Sequence, residues 1–138
     1  MRSQFESQIF QAMPETGRSS LMANSFEDTF AGEHHIVEVA SKYMRDNFSN
    51  NISVEQVAKR AFVSQYHFSR IFKRHTQYSP YQYLLNLRLE HARILIERTE
   101  FSVKEITFRA GFNSLDYFSA AFTKKYKVCP SLYRKTLS

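Results

Sequence analysis

Hydrophobic and polar positions follow the same order in two parts of this chain, each about thirty residues long. The offset between matched positions is 49 residues at Ser53 and Ser102, and 50 residues at Phe68 and Phe118. The register changes near Gly111, where a turn is predicted, and the apolar positions match on both sides of it. A shift confined to a turn indicates that one supersecondary unit is used twice.

Each copy is predicted to contain two short helices joined by a tight turn. The first helix opens with a capping box, Ser53-x-x-Gln56 in one copy and Ser102-x-x-Glu105 in the other. The second helix carries apolar residues at steps of three and four along one side, which is the spacing of a buried helix face. These residues are Phe68, Ile71 and Phe72 in the first copy, and Phe118, Ala121 and Phe122 in the second.

The opposite side of the second helix is polar in the first copy. Tyr66, Ser69, Arg70 and Lys73 share that side at steps of three and four, and they supply hydrogen-bond donors, two cations and an aromatic ring. A short helix, a tight turn and a second helix with a polar outer side are typical of the helix-turn-helix, whose second helix enters the major groove of DNA. The alternative is a pair of helical hairpins in a bundle.

A longer helix is predicted between the copies, over residues 80–98, with Pro80 suited to its first turn. The pattern therefore predicts an all-α fold of two helix-turn-helix subdomains joined by a long central helix, with about seven helices. A helix of this length spans about 28 Å, somewhat less than the roughly 34 Å between successive major grooves on one side of B-DNA. Both subdomains are then able to engage one duplex, either with bending of the DNA or with imperfect binding by one unit, at a cost of a few kcal/mol.

The predicted domain organisation has two parts. Residues 34–138 form the double helix-turn-helix domain, divided into a first unit (34–79), the connecting helix (80–98) and a second unit (99–138). Residues 1–33 are expected to be an N-terminal tail or linker, or the remnant of a longer chain. This stretch is too short to enclose a ligand, so no sensory domain is expected in the chain.

Positive charge is concentrated in the repeats. Residues 34–138 carry a net charge of +9, whereas residues 1–33 carry −3. Such a distribution suits a polyanion, because each neutralised phosphate releases counterions; an acidic protein bound by a helical adaptor is the rival interpretation. Contacts with flanking DNA phosphates are expected from residues near the ends of the outer-face helices. They are Ser64, Lys73, Arg74, Ser114, Lys124, Lys125 and Arg134.

Other classes of protein find little support. The single cysteine, Cys129, excludes an internal disulfide and fits a reducing cytoplasm, and no signal or membrane segment is visible. None of the five histidines has the spacing of a zinc site. The chain has no glycine-rich phosphate loop, nucleophile elbow or convincing carboxylate pair, so no catalytic residue, metal site or cofactor is predicted.

With both copies in view, residues 34–137 resemble the DNA-binding domain of the AraC/XylS family of bacterial transcription regulators. The most specific part of the resemblance is in the second copy, Ala110-Gly111-Phe112-x-Ser114-x-x-Tyr117-Phe118-x-x-x-Phe122. The resemblance implies seven helices, binding of double-stranded promoter DNA through adjacent major-groove segments, and a bacterial cytoplasmic, nucleoid-associated location. If the protein is an activator, RNA polymerase is a further expected partner.

The resemblance also implies which residues contact base edges. They are Tyr66, Ser69 and Arg70 in the first copy, and Asp116, Tyr117 and Ala120 in the second. Arg70 is able to bind guanine O6 and N7 bidentately, whereas Asp116 is limited to accepting from cytosine N4. We therefore expect the first copy to discriminate between sequences and the second mainly to anchor the DNA backbone.

Overall fold

The structure, a computed structural model, describes the backbone of residues 25–138 and the side chains of residues 32–138. Within that range the chain forms seven α-helices and no strand, which confirms the all-α prediction. The helices are α1 (Ser25–Asn47), α2 (Val54–Arg60), α3 (Gln65–Thr76), α4 (Pro80–Arg98), α5 (Val103–Arg109), α6 (Leu115–Tyr126) and α7 (Pro130–Thr136).

The chain divides into two compact units. The first unit comprises the described residues up to Asp46 together with Ile52–Tyr83, and the second comprises Asn47–Asn51 with Leu84–Ser138. The connecting helix α4 is thus shared, since its first turn belongs to the first unit and the remainder to the second. Helix α1 begins at Ser25, before residue 34, where the double helix-turn-helix domain was predicted to begin, so part of the predicted tail is helical. The rest of that tail lies outside the described residues.

The first unit packs α1, α2, α3 and the first turn of α4 around a core supplied by the predicted apolar face of α3. Phe68, Ile71 and Phe72 are all fully buried, and the Phe72 ring meets the Tyr83 ring edge to face at 5.3 Å between centroids. The capping box of α2 is complete, because Ser53 Oγ accepts from the Gln56 amide and the Gln56 side chain accepts from the Ser53 amide. The predicted buried face of α3 is confirmed.

The second unit has an equivalent core in which Phe118 and Phe122 of α6 are fully buried and Ala121 is partly buried. Ser102 caps α5 by accepting from the Glu105 amide at 3.0 Å. The Glu105 carboxylate accepts from two nitrogens of Arg109 instead of completing a capping box. The repeated helix-turn-helix therefore has the same core positions but not the same surface interactions.

The turn between the two helices shows where the repeat register changes. Phe62 and Gly111 both have positive φ, +61° and +95° respectively, one residue after the helix C-cap. Turn hydrogen bonds still match at the 49-residue offset, because Val63 N donates to Ala58 O and Phe112 N donates to Thr107 O. The N-cap serines that follow match at 50, so the additional residue is Asn113, a neighbour of Gly111.

Candidate nucleic-acid interface

The polar side of α3 is exposed, as the sequence predicts. Ser64 caps the helix by accepting from the His67 amide, and the burial of Phe68 and Phe72 turns the other side of the helix to solvent. Tyr66 is 75% exposed, Arg70 and Lys73 are exposed, and Ser69 is half-buried. The Arg70 guanidinium lies 5.8 Å from the centre of the Tyr66 ring, an arrangement that restrains the arginine while leaving it able to meet a partner.

The outer side of α6 is also exposed, but it carries different chemistry. Ser114 caps this helix by accepting from the Tyr117 amide. Asp116 and Ala120 are exposed, and Tyr117 is 44% exposed with its ring 6.0 Å from the Phe112 ring. The surface has one carboxylate where α3 has a tyrosine, and a methyl group where α3 has an arginine.

Ser119, which takes the place of Ser69 in the second copy, is not among the residues predicted to contact DNA. The 50-residue register was the available signal, since it relates Ser119 to Ser69 directly. In the structure Ser119 is half-buried, and its carbonyl accepts from the Thr123 hydroxyl at 2.7 Å. It therefore joins the set of residues on the outer side of α6.

Arg74 and His75, at the end of α3, both interact with the carboxylate of Glu33 in α1. Glu33, nearly buried, accepts from Arg74 Nη2 and is hydrogen-bonded at 3.0 Å to Nε2 of His75, whose side chain is fully buried. Burial alone would raise the pKa of the Glu33 carboxyl, but the hydrogen bonds and charges of His75 and Arg74 together lower this pKa below its usual range. Arg74 is thus oriented by Glu33, a contact between distant residues that the sequence pattern does not reveal.

We expect Glu33→Gln to destabilise the protein by about 1 kcal/mol at neutral pH, because an amide accepts less strongly from Arg74 and His75. Since the folded-state pKa of Glu33 is below its unfolded value, its charge stabilises the fold at neutral pH, and this stabilisation is lost as pH falls through the folded-state pKa. Urea unfolding over a pH series measures both effects. Asp46→Asn, which alters an exposed pair with Lys42, is the control and should change stability much less. An unchanged acid sensitivity in Glu33→Gln would contradict this assignment.

Lys125, predicted to contact phosphate, is directed toward α4 in the second unit. Its Nζ donates to Asn86 Oδ1 at 2.7 Å and lies 3.9 Å from a carboxylate oxygen of Glu90. Burial lowers the pKa of the Lys125 ammonium below its usual range, although Glu90 opposes the shift. Its charge is therefore partly satisfied by the protein itself.

Arg134 is also engaged inside the second unit. Its Nη1 donates to the Phe101 carbonyl at 2.6 Å and its Nη2 donates toward the Thr99 carbonyl at 3.3 Å. These bonds fix the loop that leads into α5, and they engage part of the donor capacity of the guanidinium. Of the predicted phosphate contacts, Ser64, Lys73, Arg74, Ser114 and Lys124 are exposed.

The part of the chain that is described has neither a cluster of metal ligands nor a membrane-spanning helix. No three or more His, Cys, Asp or Glu side chains within it are grouped so as to hold a metal ion. Each of the helices in residues 25–138 is too short or too polar to cross a membrane. The features that stand out are instead two capped helices, α3 and α6, each with a buried aromatic side and an exposed polar side. Together with the preceding short helices and tight turns they define a double helix-turn-helix protein.

Comparison with known proteins agrees with this class. A family model described as a helix-turn-helix domain matches residues 57–136. The lactose operon transcription activator of Staphylococcus xylosus is 30% identical over 102 residues, covering 74% of this chain and 37% of that protein. An AraC-type DNA-binding transcriptional regulator from Chromobacterium violaceum has a crystal structure that superposes with a TM-score of 0.69 at 29% identity, covering 78% of this chain and 96% of that one.

The DNA-binding domain of the global transcriptional factor AdpA, solved in complex with a target DNA, superposes with a TM-score of 0.64 at 28% identity, over 76% of this chain and 91% of that one. The chain belongs to the AraC-type family of helix-turn-helix transcription regulators, a family of regulators rather than enzymes. It spans between 30% and 41% of the length of three curated relatives.

Proposed function

We propose that this chain is the part of a bacterial transcription regulator that binds double-stranded promoter DNA sequence-specifically. In this proposal α3 and α6 enter adjacent segments of the major groove. The observation that carries the proposal is the pair of capped helices with exposed polar sides, in a chain whose relatives include a DNA-bound domain. The location that follows from this function is the bacterial cytoplasm, on the nucleoid. RNA polymerase is a further partner if the regulator is an activator.

The two helices have unequal roles in this proposal. Tyr66, Ser69 and Arg70 of α3 read base edges, because the Arg70 fork matches guanine O6 and N7. Asp116, Tyr117 and Ala120 of α6 approach the groove with fewer donors, so the second unit acts mainly as an anchor. Direct phosphate contacts come from the capping serines and exposed lysines, namely Ser64, Lys73, Ser114 and Lys124.

The remaining basic residues contribute less directly. Arg74 is held by Glu33 but remains more than half exposed, so it is placed to reach a phosphate from a fixed position. Lys125 and Arg134 act mainly through the second unit in this proposal, since some of their donors already bind Asn86 and the Phe101 carbonyl. We therefore assign them an indirect role in supporting α6 and the loop before α5.

Selection of bound duplexes from a random pool tests the proposal. A recovered motif with two half-sites about one helical turn apart supports insertion of both helices. One half-site supports reading by a single unit, and recovery of no motif would contradict sequence-specific binding.

The salt dependence of binding tests the phosphate contacts. We expect the slope of log K against log salt to become shallower by about 1 in Lys73→Ala, with affinity reduced similarly for all sequences. Fluorescence anisotropy with a selected duplex over a salt series measures this slope. Lys42→Ala is the matched control, because Lys42 lies on α1 and pairs with Asp46 at 2.6 Å. A Lys73 variant with the wild-type slope would remove this lysine from the interface.

A further inference from the structure

The turn of the first unit presents an aromatic side chain that the core does not use. Phe62 is 94% exposed, and its backbone has a φ of +61°. A bulky residue with positive φ is an uncommon and strained conformation, and a phenyl ring exposed to water contributes no burial. The second unit has glycine at the equivalent position, where this backbone conformation is unstrained. Folding therefore does not account for a phenylalanine here.

The surroundings of Phe62 form a shallow surface groove within the first unit. The groove is lined by Phe62 with Tyr43 of α1 and Gln56, Lys59 and Arg60 of α2. The Arg60 guanidinium lies over the Tyr43 ring at 4.9 Å from its centre. The Tyr43 ring and the long side chains of three polar residues thus line the groove beside the exposed phenyl group.

The charges at the groove are mainly positive. Lys59 and Arg60 are both exposed, and the Glu55 carboxylate lies 3.5 Å from Lys59 Nζ. Lys59 and Glu55 are one helical turn apart and form an exposed ion pair. Such pairs are weak, so Lys59 is able to exchange Glu55 for a carboxylate of a partner. Cations beside an exposed aromatic ring match a partner that presents carboxylates together with an apolar side chain.

DNA is the other polyanion to consider, and the groove suits it less well. The phenyl ring of Phe62 has neither a hydrogen-bond donor nor a positive charge, so it does not contribute to binding a phosphate. The groove residues belong to α1, α2 and the turn, whereas the proposed base-reading residues belong to α3. Aromatic side chains with arginine are, by contrast, the residues that most often dominate protein interfaces.

From the strained, exposed aromatic ring and the flanking cations, we infer that Phe62, Lys59 and Arg60 form a docking surface for an acidic protein segment that carries an apolar side chain. We refer to it as the Phe62 surface. It is separate from the proposed DNA-reading side of α3, and it gives the first unit a protein partner. Phe62 is its central contact, and the two cations supply complementarity and orientation.

The probes that test this inference are short fluorescein-labelled peptides in which Asp alternates with Phe or Leu. One control peptide has Asn in place of Asp, and another has Ser in place of the apolar residues. Fluorescence polarisation with the full chain measures affinity, and amide chemical shifts locate the peptide. We expect binding of the acidic apolar peptide alone, with shifts concentrated at the groove.

The decisive variant is Phe62→Gly, because glycine adopts positive φ without strain, so loss of binding is not a result of unfolding. We expect this variant to weaken peptide binding at least about tenfold and Lys59→Ala to weaken it less. Phe108→Ala, which removes an exposed phenylalanine from the second unit, should leave it unchanged. Affinity for a random duplex at low salt should be unaffected by Phe62→Gly.

Three results would overturn the inference. The first is failure of the wild-type chain to bind the acidic apolar peptide. The second is equal binding by the Phe62→Gly variant. The third is a parallel loss of DNA affinity, which would assign this surface to the nucleic acid. The first two results do not depend on whether α3 and α6 read DNA as proposed, so the two proposals fail separately.

Discussion

Replacing Gly111 by alanine is expected to destabilise the second unit by about 2–4 kcal/mol, through backbone strain together with overpacking. Gly111 has a φ of +95°, which an L side chain rarely adopts. An added Cβ would lie 2.6 Å from the carbonyl oxygen of Phe48 and 3.0 Å from Nε of Arg88. The carbonyl is part of the backbone, so it cannot move aside as a flexible side chain would.

The clash also disturbs the hydrogen bonds that hold the segment after α1, Asn47–Asn51, in place. Nε of Arg88 donates to the Phe48 carbonyl at 2.7 Å, and its Nη2 donates to the Asn50 carbonyl at 3.1 Å. Displacing the carbonyl weakens a charge-assisted bond inside the second unit. We therefore expect the loss of stability to be accompanied by faster amide exchange in Asn47–Asn51.

Gly32→Ala provides the matched control for this prediction. Gly32 lies within α1, and a Cβ built there meets nothing within 4 Å. The same substitution should then stabilise the protein by up to about 1 kcal/mol, because alanine is the better helix former. Chemical unfolding of both variants measures the contrast. Equal stability of Gly111→Ala and the wild type would mean that the backbone around Phe48 yields easily.

The parts of the fold that sequence predicted are those set by local periodicity. Phe68 and Phe72, and their partners Phe118 and Phe122, were assigned to buried faces by steps of three and four alone, and all are fully buried. Helix starts were equally predictable from the sequence, because Ser64 and Ser114 cap α3 and α6 by accepting from amides only three residues further along the chain. Such features require information from only one turn of helix.

The orientation of charged side chains was less predictable. Lys73 and Lys125 are both lysines near the end of an outer-face helix, and both were predicted to contact phosphate. Lys125 is nevertheless directed to Asn86 and Glu90, because α4 places acceptors beside it. The Glu33 contact with His75 likewise joins residues 42 positions apart. Electrostatic partners brought together by tertiary packing leave no periodic pattern, so the number of cations near a helix end overestimates those available to DNA.

Arg70→Ala is expected to reduce discrimination between bases at one position of the DNA site, with a loss of about 1–3 kcal/mol for each guanine contact removed. The arginine is exposed on α3, and its guanidinium lies 5.8 Å from the centre of the Tyr66 ring, within reach of a weak cation–π attraction. Competition between a selected duplex and its single-base variants measures the loss. Asp116→Ala and Tyr117→Ala in the second unit should alter base preference less.

Arg70→Lys separates base reading from charge. Lysine keeps the positive charge but lacks the planar fork that binds guanine bidentately. We expect this variant to lose much of the base preference while its salt slope stays near that of the wild type, because the number of phosphates neutralised is unchanged. Uniform weakening across all duplexes would instead make Arg70 a phosphate contact. Equal losses of base preference from substitutions in α3 and α6 would contradict the division between a reading unit and an anchoring unit.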